Sequence, residues 1–319
     1  MLRFVIRRVA ASCLMMVALS VLMFGLLRLT PGDPVAAYID PAVPMSEADV
    51  AALRHRLGLD RSLPVQYVVW ADGVLHGNLG YSTQHERARV GTLLAERAGP
   101  TLLLMGTGLA LATAIGMAAG IVAAVRQGGV VDVVLTSFSA LGISSPPFLT
   151  ALLGLFVFAV RLSWTPAGGL STPGLPVRAL DVLAHLILPA SILAVAQTTL
   201  TLRFMRAAML DVLGQDYVRT ARAKGVAEFV VIAKHALRNA LLPVVTLLGA
   251  SMGAAVGGAI FIESVFNWPG MGLLLVNAVE TRDYPLIMGA ALFIGAFVLL
   301  INLLTDLLYA AIDPRITLQ

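Results

Sequence analysis

Charge is what this sequence has least of. Asp, Glu, Lys and Arg make up 13% of its 319 residues, where a soluble domain carries about 25%. A chain that is 58% hydrophobic has too few polar groups to cover itself in water. Its mean hydropathy of +0.88 points to the bilayer as solvent. Lysine is nearly absent: Lys224 and Lys234 stand against twenty arginines. The single cysteine, Cys13, excludes an intramolecular disulfide and a cysteine-based metal site, and inside an apolar run it reads as a small core hydrophobe. No Gly-Lys pair occurs, which excludes a phosphate-binding loop of the usual form. Gly142-Ile143-Ser144-Ser145-Pro146 is not a nucleophile elbow. His85-Glu86 is followed by Arg89 where a zinc-binding helix needs histidine. An enzyme is therefore not expected. The net charge of +4 speaks to membrane orientation rather than to nucleic acid.

Six stretches approach the roughly 20 apolar residues that a spanning helix needs: residues 9–29, 101–125, 133–160, 182–202, 240–262 and 286–308. The basic N-terminus resembles that of a signal peptide. The apolar run behind it is too long and lacks a small-x-small cleavage site, so a retained first span is expected. Twelve Lys and Arg fall in the N-terminal segment, the loops after spans two and four, and the tail with Arg315. Only Arg161, Arg178 and Arg282 fall in the short loops opposite. The positive-inside rule then puts both termini and the loop 203–239 in the cytoplasm. Segment 30–98 is long enough to cross regardless of its arginines. It begins with Thr30-Pro31-Gly32-Asp33-Pro34, offers Ser46 and Asp49 as a helix start, and turns at residues 77–82. It reads as an extracytoplasmic cap of short helices.

Residues 216–245, DYVRTARAKGVAEFVVIAKHALRNALLPVV, hold both lysines. Phe229, Ile232, Ala233, Ala236, Leu237 and Ala240 recur at helical spacing, with Glu228, His235 and Arg238 opposite. Met209, Val212, Leu213 and Tyr217 form a shorter stripe before them. Gly225 lies between the two, where a helix C-terminus favours glycine. The expected shape is helix, tight turn, helix. Val218, Ala221 and Gly225 would offer a face small enough for another protein's backbone, ringed by Arg219, Arg222 and Lys224. Basic amphipathic helices also rest on anionic lipid, but that role has no need of the glycine break.

Ionisable groups are scarce within the spans. Asp306 and Glu263 sit near span ends, where snorkelling or capping would account for them, and no carboxylate is placed for a proton-coupled carrier. Gln197, Thr198, Thr199 and Asn302 either line a wet pathway or bond neighbouring helices. Residues 266–285 are broken at Pro269-Gly270 and continue as a short apolar helix over 271–279. That helix, with Asn267, Trp268 and Asn277, reads as an outer gate, a scoop beneath a binding protein, or an interfacial helix.

Several ordered stretches carry a resemblance: RLTPGDP, GNLGYS, SSPPF, WTPAGG, DYVRTARAKG with HALRNALLPVV, ESVFNWPGMGLLLVNAVETRDYP, and DPRI. They resemble the B-type permease subunit of bacterial ABC importers for dipeptides and oligopeptides. Where importer permeases in general carry Glu-Ala-Ala and then Gly, this chain has Arg219, Thr220, Ala221 and Gly225. Thirteen residues on, Leu237-Arg238 replaces the general Leu-Pro. The resemblance implies an all-α integral membrane protein of the type I importer permease fold, one permease domain over 1–319, multi-pass in the bacterial cytoplasmic membrane. It implies that the loop is a coupling helix docked on an ATPase, with Tyr217, Arg219, Thr220, Ala221, Arg222, Lys224 and Gly225 at the contact. It further implies a second homologous permease, two ATPase subunits holding ATP and Mg, an extracytoplasmic substrate-binding protein, short peptides as substrate, and no cofactor on this chain. Alternatives are a permease of the same family for another solute such as nickel, or a secondary carrier.

Overall fold

The computed structural model describes residues 2–30, 33–39, 45–85 and 88–312. Pro31-Gly32, Glu86 and the tail with Arg315 lie outside them. Apart from one isolated bridge between Tyr81 and Arg89, the described residues form helices and turns. The α-helices are α1 (Leu2–Leu29), α2 (Glu47–Arg56), α3 (Leu63–Leu75), α4 (Val90–Val125), α5 (Val130–Ser144) and α6 (Pro147–Gly154). They continue with α7 (Ala179–Leu213), α8 (Asp216–Ala223), α9 (Glu228–Val230), α10 (Leu237–Val265), α11 (Met271–Glu280) and α12 (Tyr284–Ile312).

Among the described residues, α1, α4, α7 and α12 are long and apolar enough to cross a membrane. Span three is not the continuous helix expected over 133–160. It breaks into α5 and α6, bent by 105°. The cause is Pro146-Pro147: Ser145, ahead of a proline, is pushed into extended backbone at φ −88°, ψ 122°, and prolines donate no helical hydrogen bond. Beyond α6 the chain widens into a π-helical segment, Leu155–Arg161. Counted as one span, the bent pair makes five. The stretch 240–262 falls inside the 29 residues of α10, of which Ala255–Val265 is an apolar helix.

Helix length corrects other boundaries. α4 has 36 residues and α7 has 35. At about 1.5 Å per residue both outrun a hydrocarbon layer of about 30 Å. The apolar stretches marked only their middles. Residues 90–98 continue into α4, and residues 203–213 continue α7.

The chain packs as two compact units: Met1–Gly99 with Gly270–Leu300, and Pro100–Pro269 with Ile301–Gln319. The core of the first joins Val90, Leu93 and Leu94 of α4 to Met271, Leu274 and Ala278 of α11 and Leu286 and Ala290 of α12. Asp283 is fully buried there. Its carboxylate accepts from the Ser82 hydroxyl, from Thr83 N–H at 3.0 Å and from Leu286 N–H at 3.2 Å. Ser46 caps α2 as expected, accepting from Asp49 N–H at 3.2 Å. Cys13 is exposed rather than core. α1 turns most of its length outward, and lipid rather than protein is the apolar medium for such a helix.

The second unit is built on a seam of small residues. Gly108, Ala112, Gly116, Gly120 and Ala124 recur every four residues, so they lie on one face of α4. A Cβ on Gly116 would lie 2.6 Å from Thr201 Cβ of α7, and one on Gly120 would lie 2.6 Å from Met205 Cβ and 2.7 Å from the Leu202 carbonyl oxygen. The two backbones meet where no side chain separates them, as small-xxx-small faces allow in lipid. Asp132 of α5 and Arg206 of α7 close a bidentate pair at 2.6 and 2.7 Å, and Gly128 N–H also donates to that carboxylate at 2.9 Å.

Candidate functional site

α7 ends at Leu213, and after Gly214 and Gln215 the chain re-forms a helix. The Gln215 carbonyl accepts from Val218 and Arg219 N–H at 3.1 and 3.3 Å. Asp216 in the first turn and Arg222 in the last both suit the helix dipole. α8 stops after eight residues because Gly225 adopts φ +73°. Gly225 N–H donates to the Arg222 carbonyl at 2.9 Å, and Val226 N–H reaches back to that of Ala221 at 3.3 Å. This pair of bonds is a Schellman motif. Its usual hydrophobic contact is present too: Val226 packs on Val218, Ala221 and Val231.

That contact corrects the sequence reading of the face. Val218 and Ala221 do not wait for a partner. Both are buried against their own chain, so Ala221 is a foundation residue of the turn. The outward side carries Tyr217, Arg219, Thr220, Arg222, Lys224 and Gly225, all exposed. Asn239 donates to the Tyr217 hydroxyl at 2.7 Å, tying α8 to α10. Arg222 grips Glu228 with two bonds, at 3.1 and 2.6 Å, across the turn. This hydrogen-bonded guanidinium holds the Glu228 carboxyl below the usual carboxylate range, and the same bond raises Arg222. Arg219 makes only a loose 3.5 Å contact with Asp216.

The second stripe is also rearranged. Residues Val231–Ala236 form a π-helical turn, whose i→i+5 closure brings Val231 and Ala236 inward together. Both are fully buried, as are Ala240 and Val244, and Met205 and Met209 of α7 pack on the last three of these. Phe229, expected on the buried stripe, is 80% exposed, and Ala233 is exposed as well. Sequence reasoning missed Phe229 as a surface aromatic beside the basic turn. Aromatic residues, Phe among them, are enriched in the cores of protein interfaces.

The helix start falls at Ala227, whose backbone is non-helical at φ −55°, ψ 136° and which has no side-chain cap. Replacing a missing cap is worth about 0.5–2 kcal/mol. Ala227→Ser is expected to slow amide hydrogen exchange over 228–236 in the full-length protein; unchanged exchange would contradict this start.

The pathway candidates are not a single set. Gln197 donates through Nε2 to the Ser251 hydroxyl of α10, so it bonds a neighbouring helix. Thr198 lends its carbonyl to the close approach at Gly116. Asn267 is exposed at φ +46°. Trp268 is fully buried, its Nε1–H donating to the Pro100 carbonyl at 2.9 Å, so it is a packing residue rather than a gate surface. Asn302 is half-buried on α12. Asn277 is exposed on α11, which belongs to the first unit. Glu263 does not snorkel: it is fully buried and accepts from the Thr101 hydroxyl at 2.6 Å.

Comparison with known proteins places the chain in a family. Residues 116–318 match the family model of the binding-protein-dependent transport system inner membrane component, and residues 1–94 match that of its N-terminal region. A Brucella suis protein named as a peptide permease is 59% identical over 99% of both chains. The glutathione transport system permease protein GsiC of Escherichia coli is 42% identical over 99% of both. Among solved structures, the MetNI methionine ABC transporter in inward-facing conformations shares the fold with a TM-score of 0.54 at 17% identity, over 69% of this chain and 96% of that one. With α8, the Gly225 turn and α10 all inside the matched region, the chain belongs to the binding-protein-dependent transport system inner membrane components, the permease subunits of ABC importers.

Proposed function

We propose that this chain forms one half of the membrane pathway of an ATP-driven importer for short peptides, and that the outward side of α8 and its Gly225 turn receives the stroke of a cytoplasmic ATPase. The supporting observation is the build of that turn. A buried foundation of Val218, Ala221 and Val231 holds a rigid surface of exposed basic and aromatic groups, and the helix beyond Ala227 runs on into α10. Force applied at Arg219 or Lys224 therefore reaches a membrane helix through the packed Gly225 turn. A second, homologous permease completes the pathway. Two ATPase subunits bind ATP and Mg, and an extracytoplasmic binding protein delivers the peptide. Peptide relatives at 59% identity and a glutathione relative at 42% both favour short peptides, glutathione being a tripeptide.

The test is uptake of labelled di- and tripeptides, glutathione and nickel into proteoliposomes holding the assembled complex, with binding protein on the receiving side. Peptide uptake that needs ATP supports the reading. Uptake driven by a proton gradient without ATP makes the chain a secondary carrier, and nickel uptake alone makes it a metal permease.

Six spans with both termini in the cytoplasm belong to the same proposal, α10 and the bent α5–α6 pair each crossing once. In a Cys13→Ser background, Arg222→Cys should label only from the cytoplasm and Arg161→Cys only from outside. Labelling of both from outside whole cells would sink the six-span topology.

A further inference from the structure

The first unit contains a cavity of about 460 Å³, within the ~300–1,000 Å³ usual for small-molecule sites. Its walls come from the last turns of α1, from the α2–α3 region and from the first turn of α12. Those are the ends of two membrane-spanning helices, so the cavity lies at the depth of a membrane–water interface. Three cations line it, Arg28, Arg56 and Arg61. Among the described residues no Asp or Glu lines it, and none of the three arginines forms an ion pair. Asp60 acts electrostatically on Arg61, but among the described residues the lining itself carries three guanidiniums and no carboxylate, so it suits an anion, and guanidinium matches phosphate with paired N–H donors.

Two further features narrow the ligand. Gln66 also lines the cavity, and its amide orientation is fixed because Nε2 donates to the Leu59 and Arg61 carbonyls at 3.3 and 2.7 Å. That leaves Oε1 as a buried acceptor without a protein partner, suited to a hydroxyl donor. α3 supplies the second feature. Its Tyr67 and Trp70 pack on Phe24 of α1, with ring centroids 5.6 and 6.3 Å away. Val65, Val68, Val69 and Leu75 are exposed on the same helix. At 13 residues α3 is too short to span, and a helix with an exposed apolar face beside span ends lies in the lipid interface. Interfacial Trp and Tyr fit the same depth.

We propose that this cavity binds the headgroup of an anionic phospholipid, with Arg28, Arg56 and Arg61 on the phosphate and Gln66 Oε1 accepting from a headgroup hydroxyl, as phosphatidylglycerol would provide. The exposed apolar face of α3 favours a lipid over a free phosphate, because the acyl chains continue the apolar surface that the headgroup anchors.

The test is native mass spectrometry of the full-length chain in complex with its partner subunits, equilibrated with phosphatidylglycerol or phosphatidylcholine. The wild-type complex should retain one more phosphatidylglycerol than the Arg56→Gln/Arg61→Gln complex. Each single change should weaken that lipid about tenfold, the loss expected of one charge-assisted hydrogen bond. Both positions are exposed, so folding survives; Arg28→Gln, within the α1 span, is the secondary variant. Inorganic phosphate should leave the lipid in place. Equal retention by wild type and the double variant, equal retention of phosphatidylcholine, or displacement by inorganic phosphate or by a tripeptide would each overturn the proposal.

Discussion

Replacing Gly116 and Gly120 together by leucine is expected to abolish recovery of the folded chain, and Gly→Ala at either position to destabilise it measurably. The reason is distance. A single added carbon at Gly116 or Gly120 would come within 2.6 Å of an atom of α7, well inside van der Waals contact. α4 and α7 would have to part along the whole seam that runs from Gly108 to Ala124. Overpacking a well-fitted core typically costs about 1–3 kcal/mol, and two leucines on one seam exceed that. Gly106 supplies the control, since a Cβ there meets nothing within 4 Å. Gly106→Ala should be neutral or slightly stabilising, as alanine is the better helix former. Size-exclusion profiles and thermal unfolding of the detergent-purified variants decide the matter. Wild-type stability in Gly116→Ala would remove the seam from the account.

The second large effect is functional. Reversing Arg219 and Lys224 to glutamate should leave the fold intact and reduce ATP-dependent uptake by about tenfold or more. Both residues are exposed, and Arg219 pairs only loosely with Asp216, so little stability rests on them. Charge of the wrong sign at an interface costs several kcal/mol, and tenfold in affinity is about 1.4 kcal/mol. Gly225→Val should act through backbone shape alone. Its φ of +73° is strained for any L side chain, but no atom obstructs the new Cβ, and the left-handed conformation costs about 1–2 kcal/mol. Ala221→Trp reads differently: it would burst the foundation under α8, so its loss of transport would say nothing of a partner.

The turn itself was legible because a glycine at the end of a short basic helix has one common use. The direction of the small face was not. An eight-residue stripe marks an apolar side, but whether that side meets a partner or its own chain depends on the π-helical turn at Val231–Ala236, which helical spacing does not reveal. Phe229 was misplaced for the same reason. The break at Pro146-Pro147 stood in the sequence, yet averaged hydropathy runs straight through it, since neither proline lowers the apolar content enough. The seam on α4 has a spacing of four that could have been read. It went unread because in a uniformly apolar helix small residues give no polar contrast. Asp132 and Arg206 are 74 residues apart, and nothing local pairs them.

The central claim is that the outward side of α8 touches the ATPase while its inward side does not. Cysteine cross-linking tests this most directly. In a Cys13→Ser chain assembled with its partners, single cysteines at Arg219, Lys224 and Val218 would be treated with a short bifunctional thiol reagent against cysteines around the surface groove of the ATPase subunit. Cross-links at Arg219→Cys and Lys224→Cys, gained or lost as ATP binds, with none at the buried Val218→Cys, are the predicted result. No cross-link at either outward position under any nucleotide condition, in a complex that still transports, would contradict the account.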